Sequence, residues 1–147
     1  MRKHRTIQCV FFLTCHSVRV AVQWGTGQDQ CATIKRQLTL LIPGVSIFLD
    51  VDDLEDIGAL EEYVDATAVI MIFVSKGYFK SGNCLREARC TLAKKKPITL
   101  VHDAVRGGAA LDVIVIEECP EEMQGPIFEG RDVIEWHRIK ARAQALL

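Results

Sequence analysis

The sequence has no excess of charge of either sign, no long apolar run, no paired cysteine or histidine spacing, no internal repeat and no low-complexity tract. Lysine and arginine number 18 against 19 aspartates and glutamates, a formal net charge of -1. A dedicated nucleic-acid binder should carry a basic stripe. A balanced chain also has no net field to steer an acidic substrate or a membrane surface, so neither nucleic acid nor membrane is expected as a partner. No stretch reaches the ~18 apolar residues that cross a bilayer. The six cysteines, Cys9, Cys15, Cys31, Cys84, Cys90 and Cys119, contain no Cys-x-x-Cys pair. His4, His16, His102 and His137 stand singly, without the spacing of a zinc site.

What is present is 147 residues, 49% apolar and 25% charged. That is one domain's length with enough apolar side chain to bury a core, which excludes intrinsic disorder. A domain of this size needs no disulfide staples. The cysteines therefore read as free thiols in a reducing compartment, and the expected location is cytoplasmic. Met1 to Arg5 is basic and Ile7 to Cys15 apolar, the outline of a signal peptide. Gln8 interrupts the run, however, and no small-x-small cleavage site follows.

The apolar runs are short and alternate with helical patterns. Ile7 to Thr14, Val18 to Val22, Val45 to Leu49, Val69 to Val74 and Ile98 to Val101 read as strands, with Asp132 to Trp136 a short last one. The runs at 45–49, 69–74 and 98–101 are nearly continuous, as strands buried on both faces of a parallel sheet should be. Helices are expected over Gln28 to Leu41, with Ile34, Leu38 and Leu41 on one stripe, over Leu60 to Ala66, and over Asn83 to Lys94. In the last, Cys84, Leu85, Ala88, Thr91 and Leu92 share a face. Ala109 to Cys119 should be another helix, stopped by Pro120, and His137 to Leu147 a closing one. Strands alternating with helices imply right-handed crossovers. The fold class is α/β: a single flavodoxin-like domain over residues 1–147, with a four- to five-stranded parallel sheet and helices on both faces. Residues 1–17 form an irregular start.

Ligands of such sheets sit beyond the carboxyl ends of the strands, which brings three segments forward. Gln23 to Gln30 (QWGTGQDQ) places Gly25 and Gly27 just before the expected helix. Such a turn can present backbone N–H groups to a phosphate, or it can be a plain loop with Asp29 as the helix cap. Asp50 to Asp56 holds five acids in seven residues. It is not a calcium loop, because Glu55 stands where that loop needs glycine and Leu54 where it needs a ligand. A phosphoacceptor aspartate should end the third strand, and that strand ends in Val74-Ser75. A solvated acidic loop remains. Ser81 to Glu87 (SGNCLRE) starts a helix, with Ser81 or Asn83 able to cap it. Glu87 lies about 100° around the helix from Ala88. That is the border between core and solvent, where it can line a cleft or simply favour the helix start.

The run VSIFLD, VDDLEDIG, LEEYVDATA, VIMIFVS, then GYFKSGNCLREA, resembles a Toll/interleukin-receptor (TIR) domain. The resemblance extends from about Trp24 to the end and is most specific from Phe48 to Glu87. The acidic loop takes the place of the family's BB loop. Ser81 to Glu87 resembles its Ser-x-Trp-Cys-Leu-x-Glu segment, with Asn83 where the family has tryptophan, and the acidic loop lacks the family's usual arginine. Trp136 in IEWHR resembles the aromatic of the last family box.

The resemblance implies a flavodoxin-like five-stranded sheet and one of two functions. One is a signal-transduction module of innate immunity or cell death that assembles through TIR–TIR contacts, with Asp50, Asp52, Asp53, Asp56, Ile57 and Gly58 as the interaction loop. The other is an NAD+ nucleosidase that cleaves the nicotinamide–ribose bond. There Glu87 would be the catalytic carboxylate, Ser81 and Cys84 would shape the pocket, and Gly25, Thr26, Gly27 and Gln28 would lie near the phosphates. NAD+ is then a substrate, and no cofactor is implied.

Overall fold

The computed structural model describes residues 17–49 and 59–137. The expected strand at Ile7 to Thr14, the acidic loop Asp50 to Gly58 and the closing helix beyond His137 lie outside these residues. Within them the chain runs β1 (Ser17–Ala21), α1 (Trp24–Leu41), β2 (Ser46–Leu49), α2 (Leu60–Ala66), β3 (Val69–Val74), α3 (Gly82–Ala93), β4 (Ile98–His102), α4 (Leu111–Glu117), α5 (Glu121–Phe128) and β5 (Val133–Glu135). The five strands form one parallel sheet in the order β2-β1-β3-β4-β5. The expected α/β flavodoxin-like architecture is therefore what the chain adopts. The strand order reverses between β1 and β3, so the crevice beyond their carboxyl ends is where a ligand of this fold is held.

Alternation along each strand divides the core into two. One face gathers Val18, Val20, Ile47, Leu49, Met71, Phe73 and Val101 under Cys31 and Ile34 of α1. The other gathers Ala21, Ile70, Ile72, Val74 and Leu100 under α2, α3, α4 and α5, through Val64, Ala88, Ile114, Met123 and Ile127. β3 is buried at all six positions, as its unbroken apolar run requires. β2 is not: Ser46 and Phe48 are exposed. It is an edge strand of the sheet.

Three helix expectations need correction. α1 begins at Trp24, four residues before the expected start, so Gly25 and Gly27 lie inside its first turn. Gln23 holds the N-cap position and Asp29 does not cap the helix. The glycines mislead because Gly27 is there for packing: a Cβ on it would stand 2.7 Å from Val22 Cγ2 and 2.8 Å from Phe73 Cδ1. Leu41, expected on the buried stripe, is 76% exposed, because the helix outruns the sheet beneath it. Finally, α5 follows Pro120 directly and was not foreseen. It carries Gly125 and Pro126, and only Met123 and Ile127 are buried in it.

Candidate functional site

Thr26 ties the start of α1 to the end of β3. Its hydroxyl oxygen lies 2.8 Å from Ser75 Oγ, 2.9 Å from the Lys76 carbonyl oxygen and 3.0 Å from Gln23 Oε1. Ser75 is fully buried directly after β3, so this contact closes the topological switch point. Beside it is a polar cavity of about 310 Å³, lined by Gly25, Thr26, Gly27, Gln28, Asp29, Gln30 and Arg106. The four residues expected near a phosphate therefore meet around one cavity.

Arg106 comes from the loop after β4, which was not among the three segments singled out. Its position follows from Asp103, buried at the strand end. Asp103 Oδ1 accepts from the backbone N–H groups of Val105 and Arg106, each at 2.9 Å. Its Oδ2 accepts from Gln30 Nε2 at 3.3 Å. One carboxylate thus shapes the loop and anchors it to α1, and Arg106 is brought to the cavity beside the first turn of the helix. The available signal was an arginine followed by two glycines just past the carboxyl end of a strand.

The SGNCLRE segment starts α3 as expected. Ser81 is the N-cap, accepting from the Cys84 N–H at 3.4 Å. The Cys84 thiol donates to the Val22 carbonyl at 3.5 Å, which locks α3 onto the end of β1. Glu87 is where the helix geometry misleads. It is not at a core–solvent border but 1% exposed, and it accepts a hydrogen bond and ion pair from Arg19 Nε. Arg19 is 2% exposed on β1. Its guanidinium carbon lies 5.6 Å from the centroid of the Tyr63 ring on α2, a cation–π contact. α2 packs beside α3 and covers the flank that a lone helix would have left open. Thr91 adds a hydroxyl bond to the Glu87 carbonyl at 2.8 Å. Glu87, Ser81 and Cys84 do not line the cavity formed by Gly25, Thr26, Gly27 and Gln28. Asp50, Asp52, Asp53, Asp56, Ile57 and Gly58 lie outside the described residues.

Two further groups bear on chemistry. Burial, with Glu122 adding to it, pushes the Cys119 thiol up to about 11. Burial also raises Cys90. Neither is a thiolate nucleophile at neutral pH. No group of three or more metal-ligating side chains occurs among the described residues, and none of the described helices is long and apolar enough to cross a membrane. Neither a protein-family model nor a curated protein matches this chain.

Proposed function

We propose that the chain is a TIR-type signal-transduction module that works by contact, assembling with other TIR domains through the acidic loop Asp50 to Gly58. The resemblance over Phe48 to Glu87 and the five-stranded parallel sheet support this reading. The observation that carries it is the buried Arg19–Glu87 pair. The carboxylate that the resemblance assigns to bond cleavage is engaged inside the core, away from the polar cavity at the strand ends. Exposed loop charges contribute little to folding, yet they steer or forbid an interface. The test is light scattering over a concentration series, for the wild type and for Asp53→Lys/Asp56→Lys. The wild-type mass should rise with concentration, and the variant should associate differently across salt. A strict monomer that binds no TIR partner would refute the reading.

The cavity itself favours a second reading, an NAD+ nucleosidase. Gly25, Thr26, Gly27 and Gln28 line a polar space together with Asp29, Gln30 and Arg106, one residue of each charge. Breaking the nicotinamide–ribose bond develops oxocarbenium character on the ribose, which a fixed carboxylate stabilises. Nicotinamide leaves neutral, so no general acid is required. Glu87 would have to give up Arg19 to reach the ribose. Loss of nicotinamide release in a folded Glu87→Gln variant would support this reading, and full activity in that variant would place the chemistry elsewhere.

A further inference from the structure

α4 is apolar on nearly every side: Leu111, Val113, Ile114, Val115 and Ile116 occupy five of its seven positions. A helix hydrophobic all round is ordinarily buried, yet only Ile114 is buried in this one. Ile116 lies about 160° around the helix from Ile114 and is 75% exposed, with Val113 beside it at 38%. Asp112, one turn before Ile116, shares that outward face and is exposed as well. Residues 111–122 carry five acids and no base. Glu118 and Glu122 pair with Lys80 and Arg89, whereas Asp112 and Glu117 form no ion pair among the described residues.

The last turns of α1 repeat this arrangement with the opposite charge. Leu40 and Leu41 are 75% and 76% exposed. Arg36, one turn before Leu40, is exposed on the side away from buried Ile34 and forms no ion pair among the described residues. Residues 30–49 hold Lys35 and Arg36 and no acid. Each helix thus shows a charge followed four residues later by a bare aliphatic, basic on α1 and acidic on α4. Exposed apolar side chains standing singly are ordinary. Two surfaces with the same spacing and opposite charge are complementary.

α1 packs on one face of the sheet through Cys31 and Ile34, and α4 on the other through Ile114, so one copy cannot join its own two surfaces. We propose that the last turns of α1 dock on α4 of a second copy, head to tail. With the two helices side by side and running the same way, Leu40 meets Ile116 and Arg36 meets Asp112. Such a heterologous contact leaves one surface of each kind open at the ends, so assembly does not close at a dimer. It rests on the reading of a self-associating module but not on the acidic loop, and the two contacts can be tested apart.

The experiment is sedimentation velocity over a concentration series, on the wild type and on the full chain carrying Asp53→Lys/Asp56→Lys. The latter alters the loop and leaves both helix surfaces intact. It should still associate past the dimer, and less so at high salt. In that background Leu40→Glu and Ile116→Lys, both at strongly exposed positions, should each shift association to about tenfold higher concentration or more. Mixed in equal amounts, they should form a heterodimer and stop there, because one supplies only an intact α4 and the other only an intact α1. Arg36→Glu and Asp112→Lys, on the same faces, replace either variant that does not fold. Wild-type association that persists in the loop variant and is lost in the helix variants would refute the loop and support this contact. A loop variant that is monomeric would place the contact in the loop and overturn the proposal, and a monomeric wild type would overturn both. Association unchanged by the helix variants, or a mixture that stays monomeric, would overturn the proposal as well.

Discussion

Arg19 and Glu87 are both withheld from water, so removing either charge takes a buried ion-pair partner from the other. Breaking a buried pair in this way costs about 3–5 kcal/mol, against ~0.3–1 kcal/mol for an exposed glutamate near a helix start. Glu87→Gln should lose several kcal/mol in denaturant unfolding. Arg19→Met/Glu87→Leu should lose clearly less than the two single changes added together, the mark of direct coupling. A Glu87→Gln variant as stable as wild type would place the residue outside the core. Gly27 and Gly25 separate in the same assay. Gly27→Ala forces a methyl against Val22 and Phe73 and should cost about 1–3 kcal/mol. Gly25→Ala meets only the flexible end of Gln23 at 3.4 Å and should be neutral, or stabilising by up to ~1 kcal/mol through helix propensity. Cys119 offers a pH test. Its thiol is raised from the ordinary 9.0 to about 11, so the folded state holds the proton more tightly than the unfolded state. The stability linked to that proton is whole below pH 9 and is lost as pH rises toward 11. In the folded protein at pH 8, Cys119 should alkylate far more slowly than in denaturant. Equal rates would refute its burial.

Among the elements, β3 carries the most weight, since both of its faces are covered. Ile70→Asp would bury an unpaired charge at its centre, and a loss of more than about 3 kcal/mol, or failure to fold, is expected. A soluble variant with unchanged melting temperature would contradict the strand's place in the core. β3 and α2 were legible to the residue, because an unbroken β-branched run and a short acid-led helix each declare themselves locally. α5 was not, because Gly125 and Pro126 mask a helix that needs only Met123 and Ile127 for its anchor. The start of α1 was misread because a glycine chosen for close packing looks in sequence like a glycine chosen for a turn. In the candidate site, Gly25 to Gln28 were found by their place after a strand. Arg106 was missed because Asp103, and no regular element, positions it. The burial of Glu87 depends on β1 and α2, which lie 68 and 24 residues away at Arg19 and Tyr63. No periodicity within α3 contains that information, although an arginine inside the apolar run VRVA hinted at a buried acid somewhere.

The molecule as a whole separates its polar machinery by face and by strand end. The cavity with Arg106 lies at the first turn of α1, at the β1/β3 switch point. A second cavity, lined by His102, Leu111 and Glu135 among others, lies at the start of α4 on the other face. The Arg19–Glu87 pair is between α2 and α3, inside the core. The proposal that the chain acts by contact rests on that separation: the first cavity, lined by Asp29 and Arg106 among others, does not include Glu87. Incubation of the wild-type protein with NAD+, at a concentration where light scattering shows it associated, tests this most directly. The account predicts no nicotinamide above the protein-free control. Nicotinamide released in proportion to protein, and lost in a folded Glu87→Gln variant, would contradict it.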